Sequence, residues 1–152
     1  MNIEPIEIFN SETKCIGKLG EKEILGYWIN FRWASGEGYA FLFPRSIENI
    51  ALGKLISVET DQEQIRNFSI VSQSDNYEAE FRSLDSKGDY HIVGEVDVIH
   101  RNYDSNNFEV AYISVDDWSF TITCDDINLE EIQVGDIVEF DLLGLELFDE
   151  CI

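Results

Sequence analysis

Histidines, cysteines and clustered carboxylates are the side chains that move protons, attack carbon or hold metal ions near neutral pH, so they are taken first. The chain has two histidines, His91 and His100, and they flank a stretch, Ile92 to Ile99, that reads as a strand. A Ser-His-Asp or Cys-His arrangement would have to recruit one of them. No Gly-x-Ser-x-Gly elbow and no cysteine-bearing active-site pattern accompanies either. Three cysteines, Cys15, Cys124 and Cys151, make an odd set without Cys-x-x-Cys spacing. That pattern argues against a disulfide framework or a zinc ribbon and for reduced thiols in the cytosol. Gly36-Glu37-Gly38 has neither a third glycine nor a following helix, so nucleotide cofactors are not indicated, and no cofactor is expected.

The carboxylates offer two further arrangements. Asp116-Asp117 and Asp125-Asp126, the second pair beside Cys124, invite a metal reading. Neighbouring residues on a strand point to opposite faces, and no EF-hand spacing is present, so solvated loops explain both pairs better. Glu95-Val96-Asp97 puts two carboxylates on one side of a strand with Asp89 upstream, an arrangement that resembles metal-dependent nucleases. The lysine such sites use is absent from the strand, and a negative surface suits a nuclease poorly. A metal-dependent hydrolase built on Asp89, Glu95 and Asp97 stays as an alternative.

The elements that would position these residues are read from periodicity, and the period is two almost throughout. Tyr77-Glu78-Ala79-Glu80-Phe81-Arg82 alternates strictly between apolar and charged, as a strand wet on one face must. Trp118 to Thr123 and Val138 to Leu142 follow the same rule, and Ile92 to Ile99 and Phe108 to Val115 read as strands around turn chemistry at 101–107. Ile24 to Trp33 and Tyr39 to Phe43 form an aromatic hairpin through Ala34-Ser35-Gly36-Glu37-Gly38, whose glycines admit positive φ. The expected fold is all-β with a minor short helix: an antiparallel β-barrel or sandwich, one compact domain over 1–152.

A search for internal repeats finds Ser46 to Glu59 in line with Asn128 to Asp141, an offset of 82 residues. Each segment has an N-cap residue, one helical turn of apolar spacing, a glycine to end it, and then a strand. Upstream, Gly26 with Tyr39 to Leu42 corresponds to Gly94 with Val110 to Ile113, which predicts a duplication of about 15–75 and 90–150, or two OB-like halves. The plainer reading is that turn, glycine and strand form a common way into any sheet. Ile29 to Trp33 and Gly36 to Leu42 resemble the aromatic hairpin of cold-shock-type OB barrels, and Gly135-Asp136-Ile137-Val138-Glu139-Phe140 resembles the strand that closes them. The resemblance implies a small β-barrel. It does not extend to nucleic-acid binding, because Glu37 stands where a basic residue belongs, Ala40 replaces a glycine, and the charge opposes a phosphate backbone. Trp28, Phe31, Trp33, Tyr39, Phe41 and Phe43 would form either core or a stacking platform for a small ligand or carbohydrate.

Charge sets the functional expectation. Ten Lys and Arg face 31 Asp and Glu for a net −21, and all ten basic residues lie at or before Arg101. The last 51 residues carry 14 acids and no Lys or Arg, on segments whose Trp118, Phe120, Phe140 and Phe148 should keep them ordered. No stretch approaches the ~20 apolar residues that cross a bilayer, and the N-terminus lacks a basic region with an apolar signal core, so a cytoplasmic protein is expected. Excess acid can serve solubility alone. It also repels nucleic acid and anionic membranes while speeding encounter with a basic protein by roughly 10- to 10³-fold at low salt. Size, acidity and the lack of recognisable catalytic chemistry resemble bacterial immunity proteins against toxin nucleases. The expected function is non-enzymatic neutralisation of a basic partner, a toxin or nuclease domain. The residues expected to carry it are Asp116, Asp117, Asp125, Asp126, Glu130 and Glu131 around Trp118 as aromatic anchor.

Overall fold

Alternating burial organises the structure. The computed structural model describes residues 1–9, 26–44, 52–71, 77–101 and 108–150. Among them are nine strands and no helix: β1 (Asn2–Ile8), β2 (Tyr27–Trp33), β3 (Gly36–Phe43), β4 (Ile56–Val71), β5 (Glu80–Ser83), β6 (Tyr90–His100), β7 (Val110–Val115), β8 (Trp118–Thr123) and β9 (Ile137–Asp149). The sheet runs β3-β2-β1-β4-β9-β6-β7-β8, with β5 on β6, and β3 also pairs with β9. That last, parallel pairing, Phe41 to Phe43 with Glu146 to Phe148, closes a ring of five strands, β1-β2-β3-β9-β4. Every other pairing is antiparallel. The fold is an all-β barrel-like sheet, and no helix among the described residues is long and apolar enough to cross a membrane.

The strand order is a palindrome: β3, β2, β1 and β4 on one side mirror β8, β7, β6 and β9 on the other. Turn Ala34-Ser35 and turn Asp116-Asp117 stand 82 positions apart, and their tips meet where the Ser35 hydroxyl donates to Asp117 Oδ1 at 3.3 Å. Gly53 and Gly135 share the same offset and the same left-handed backbone, with φ of 79° and 94°. This order sets β3, which carries residues 39–42, opposite β8, whereas the sequence reading aligns them with 110–113 on β7.

Three local expectations are corrected. Gly36 and Gly38 lie inside β3 without positive φ, and the turn is Ala34-Ser35 alone. Gly38 instead makes room: a Cβ there would sit 2.6 Å from the Phe31 ring. The short helix expected near 128–134 is a run of turns. Arg101 takes the carbonyls of Leu129 (3.4 Å) and Ile132 (3.0 Å), which a helical turn would have used, and Asn128 Oδ1 accepts the Glu130 N–H. Its counterpart at 46–51 lies outside the described residues. The closing strand does close the ring, but with its far half, Glu146 to Phe148; residues 137–140 pair with β6 and the end of β4.

β4 and β9 are the two long central strands, and each changes its inward side midway. Val58, Thr60 and Gln62 are buried and then Ile65; Val138, Phe140 and Leu142 are buried and then Leu145 and Leu147. In β9 the change falls at Gly144, whose φ is +67° and where a Cβ would lie 2.7 Å from Glu63 Cγ. The turn before β6 pins this point, with Asp89 Oδ1 accepting the Gly144 N–H and Gly88 O accepting that of Leu145, both at 2.9 Å. Gly144→Ala is expected to cost about 1–2 kcal/mol by urea denaturation, because a left-handed backbone is open to glycine alone at no penalty. An unchanged midpoint would mean that β9 does not need this conformation.

Candidate functional site

The expected partner-binding set divides into two groups. Asp116 and Asp117 form the β7–β8 turn, both exposed, with Asp116 at a φ of 53° that aspartate tolerates better than most residues. Asp125, Glu130 and Glu131 are exposed beyond the other end of β8. The six residues of β8 put about 20 Å between the groups. A standard interface of about 800 Å² per partner is roughly 30 Å across, so the distance between the groups lies within one partner's footprint.

Two members of the set do other work. Trp118 is 1% exposed, because the alternation of β8 turns Trp118, Phe120 and Ile122 inward. It meets Phe31 and Trp33 edge-on, with centroids at 5.7 and 4.8 Å, and stacks on Phe120 at 4.5 Å. The aromatic anchor expected there is therefore core. Asp126 is half-buried, and its Oδ2 accepts from Thr123 N at 2.9 Å and from Gln62 Nε2 at 3.1 Å. Gln62 Nε2 also donates to Thr121 O, and Thr60 Oγ1 accepts from Thr121 N, so side chains of β4 satisfy the free edge of β8.

The aromatic hairpin likewise serves two faces. Phe31 and Trp33 are buried in the core, whereas Trp28, Tyr39 and Phe43 lie on the outer side around Phe41. There Trp28 stacks on Tyr39 at 5.4 Å, Trp28 and Phe41 meet edge-on at 5.0 Å, and Phe43 stacks on Phe148 at 4.7 Å.

The remaining chemistry is sparse. His91 Nδ1 donates to Asp141 Oδ1 at 2.7 Å, and its Nε2 faces Glu139 Oε2 at 3.7 Å, so a second carboxylate stands where a nucleophile would be needed. Hydrogen bonds from His91 and then from Asn67 hold the Asp141 carboxyl below the usual aspartate range. A depressed carboxyl pKa means that the unfolded chain binds more protons than the folded one just below pH 4. The stabilisation is thus fully present above the unfolded pKa and fades as pH falls through the folded one. Asp141→Asn should flatten the acid limb of a stability-versus-pH curve; an unchanged limb would count against this pairing. Asp89 is committed to the Gly144 N–H, six positions along β6 from Glu95, and no group of three His, Cys, Asp or Glu among the described residues can hold a metal ion. Cys124 accepts the Glu109 N–H at 3.5 Å, and Cys15 and Cys151 lie outside the described residues.

A feature without a sequence signal is a cavity of about 360 Å³ between hairpin β2–β3 and the turn at 84–89, lined by Glu37, Tyr39, Ser83, Asp85, Ser86 and Lys87 among others. The Tyr90 hydroxyl ties its walls together, accepting from Tyr39 N at 2.6 Å and donating to Tyr39 O at 3.0 Å. Its two sides are some fifty residues apart in the chain, so no local pattern announces it. No protein-family model, no curated protein and no solved structure matches the chain.

Proposed function

We propose that the protein is a non-enzymatic acidic binder that covers the positive surface of a basic protein, in the manner of cytoplasmic bacterial immunity proteins against toxin nucleases. The observation that carries this reading is that the stretch without Lys or Arg is built on strands: every acid after Arg101 except Asp104 falls within residues 108–150, on or beside β7, β8 and β9. A rigid display of carboxylates steers a basic partner and orders it on arrival, which a loose acidic tail does less well. Asp116, Asp117, Asp125, Glu130 and Glu131 are the contacts assigned to it, with Trp118 supporting them from beneath. The test is titration of basic toxin domains encoded beside the gene, at low and at high ionic strength. Tight binding at low salt with a steep fall in association rate as salt rises supports the reading. No binding, or binding indifferent to salt, removes it.

A further inference from the structure

A lysine in a chain with 31 carboxylates would be expected to sit against one of them, yet among the described residues Lys87 makes no ion pair. Its ammonium lies 5.4 Å from the ring centre of Tyr39 and 5.7 Å from that of Phe9. Tyr39 is backed in parallel by Trp28, and cations are drawn to such ring faces. The turn carrying Lys87 is fixed by Leu84 N to Asp89 O, Asp89 N to Ser86 O and Leu145 N to Gly88 O, so Lys87 springs from a defined wall of the 360 Å³ cavity. That volume falls in the range of small-ligand pockets. Glu37 and Asp85 also line it.

We infer that this cavity receives one basic side chain of the protein partner and that Lys87 is its internal stand-in; the inference rests on the reading of the protein as a binder of a basic partner. Two carboxylates against one ammonium favour a cation, and a net charge of −21 excludes an anion from competing well. Arginine fits better than lysine, because a planar guanidinium can stack on Tyr39 while pairing side-on with a carboxylate. The lining is linked to the Asp116-Asp117 turn through β3. Glu37 is two positions from Ser35, whose hydroxyl meets Asp117.

The test is an NMR titration of the full chain with Nα-acetyl-arginine amide, set beside Nα-acetyl-lysine amide and a methyl glucoside. Saturable shifts confined to Gly38, Tyr39 and residues 85–88 are expected from the arginine probe. Lys87→Ala should bind it roughly two- to fivefold more tightly, since the competing ammonium is gone. The double variant Glu37→Gln with Asp85→Asn should bind it about two- to fivefold more weakly. Weaker binding by Lys87→Ala, equal shifts from the glucoside, or shifts that never saturate and spread over all surface acids would overturn the inference. Lysine amide binding as tightly as arginine amide overturns the guanidinium assignment. If the probe fails while a basic protein still binds in a salt-dependent way, this inference falls alone. If the probe binds and no basic protein does, the cavity stands as a cation site and the wider reading falls.

Discussion

Replacing Trp118 with alanine is expected to lower the unfolding free energy by about 3–5 kcal/mol, measured by urea denaturation. The indole is 1% exposed and contacts Phe31 and Trp33 from β2, Phe81 from β5 and Phe120 from its own strand. It thus stands where the two sides of the palindrome share one core, and truncation leaves a void that rings from two other strands cannot collapse to fill. Whole domains of this kind are stable by about 5–15 kcal/mol, so the variant should be close to unfolding. Trp118→Phe should cost clearly less, because it keeps one buried ring, loses only part of the indole's volume, and gives up an N–H that has no hydrogen-bond partner among the described residues. A cost below about 1 kcal/mol for the alanine variant would mean that the two sides do not depend on a common core.

Gly94→Ala should be nearly as damaging, at about 2–3 kcal/mol, although intrinsic propensity points the other way. Glycine weakens a strand, so replacing it would ordinarily help. Gly94 sits in mid-β6 opposite Val138, with β7 alongside, and a Cβ there would lie 2.6 Å from Ser114 O and 2.8 Å from Ile113 Cγ2. A carbonyl held in a strand ladder cannot retreat as a flexible side chain would, so β6 must move away from β7. Stabilisation by Gly94→Ala would show that the close approach of these strands is not real.

The strands that alternate cleanly were legible in the sequence: Trp118 to Thr123 coincides with β8, and Ile92 to Ile99 lies within β6. β1 was not, because Pro5 interrupts its pattern; the structure tolerates it beside a register shift between Pro5 and Glu7. Most of β4 was hidden for a different reason. Its inward positions include the polar Thr60 and Gln62, and its buried side changes before Ile65, so no single period of two runs through it. The acidic residues at both ends of β8 could be named from composition. The role of Trp118 could not, since a tryptophan beside two aspartates reads equally well as anchor or core until the parity of its strand is known. The offset of 82 was visible from Ser46 and Asn128 onward, and the same offset separates the turns at Ala34 and Asp116, which no sequence match announced.

The placement of β9 governs how the molecule can be made. It supplies the partner for β3, for β4 along nearly its whole length, and for β6, so three strands wait on residues 137–149. During synthesis on the ribosome, β1 to β8 can form hairpins, but closing the five-strand ring and joining the two sides of the sheet wait until β9 emerges. Pairing over such sequence distances is slow. The nascent chain must therefore hold its unpaired edges and apolar faces apart until residues 137–149 are available, when both sides can lock together in one step.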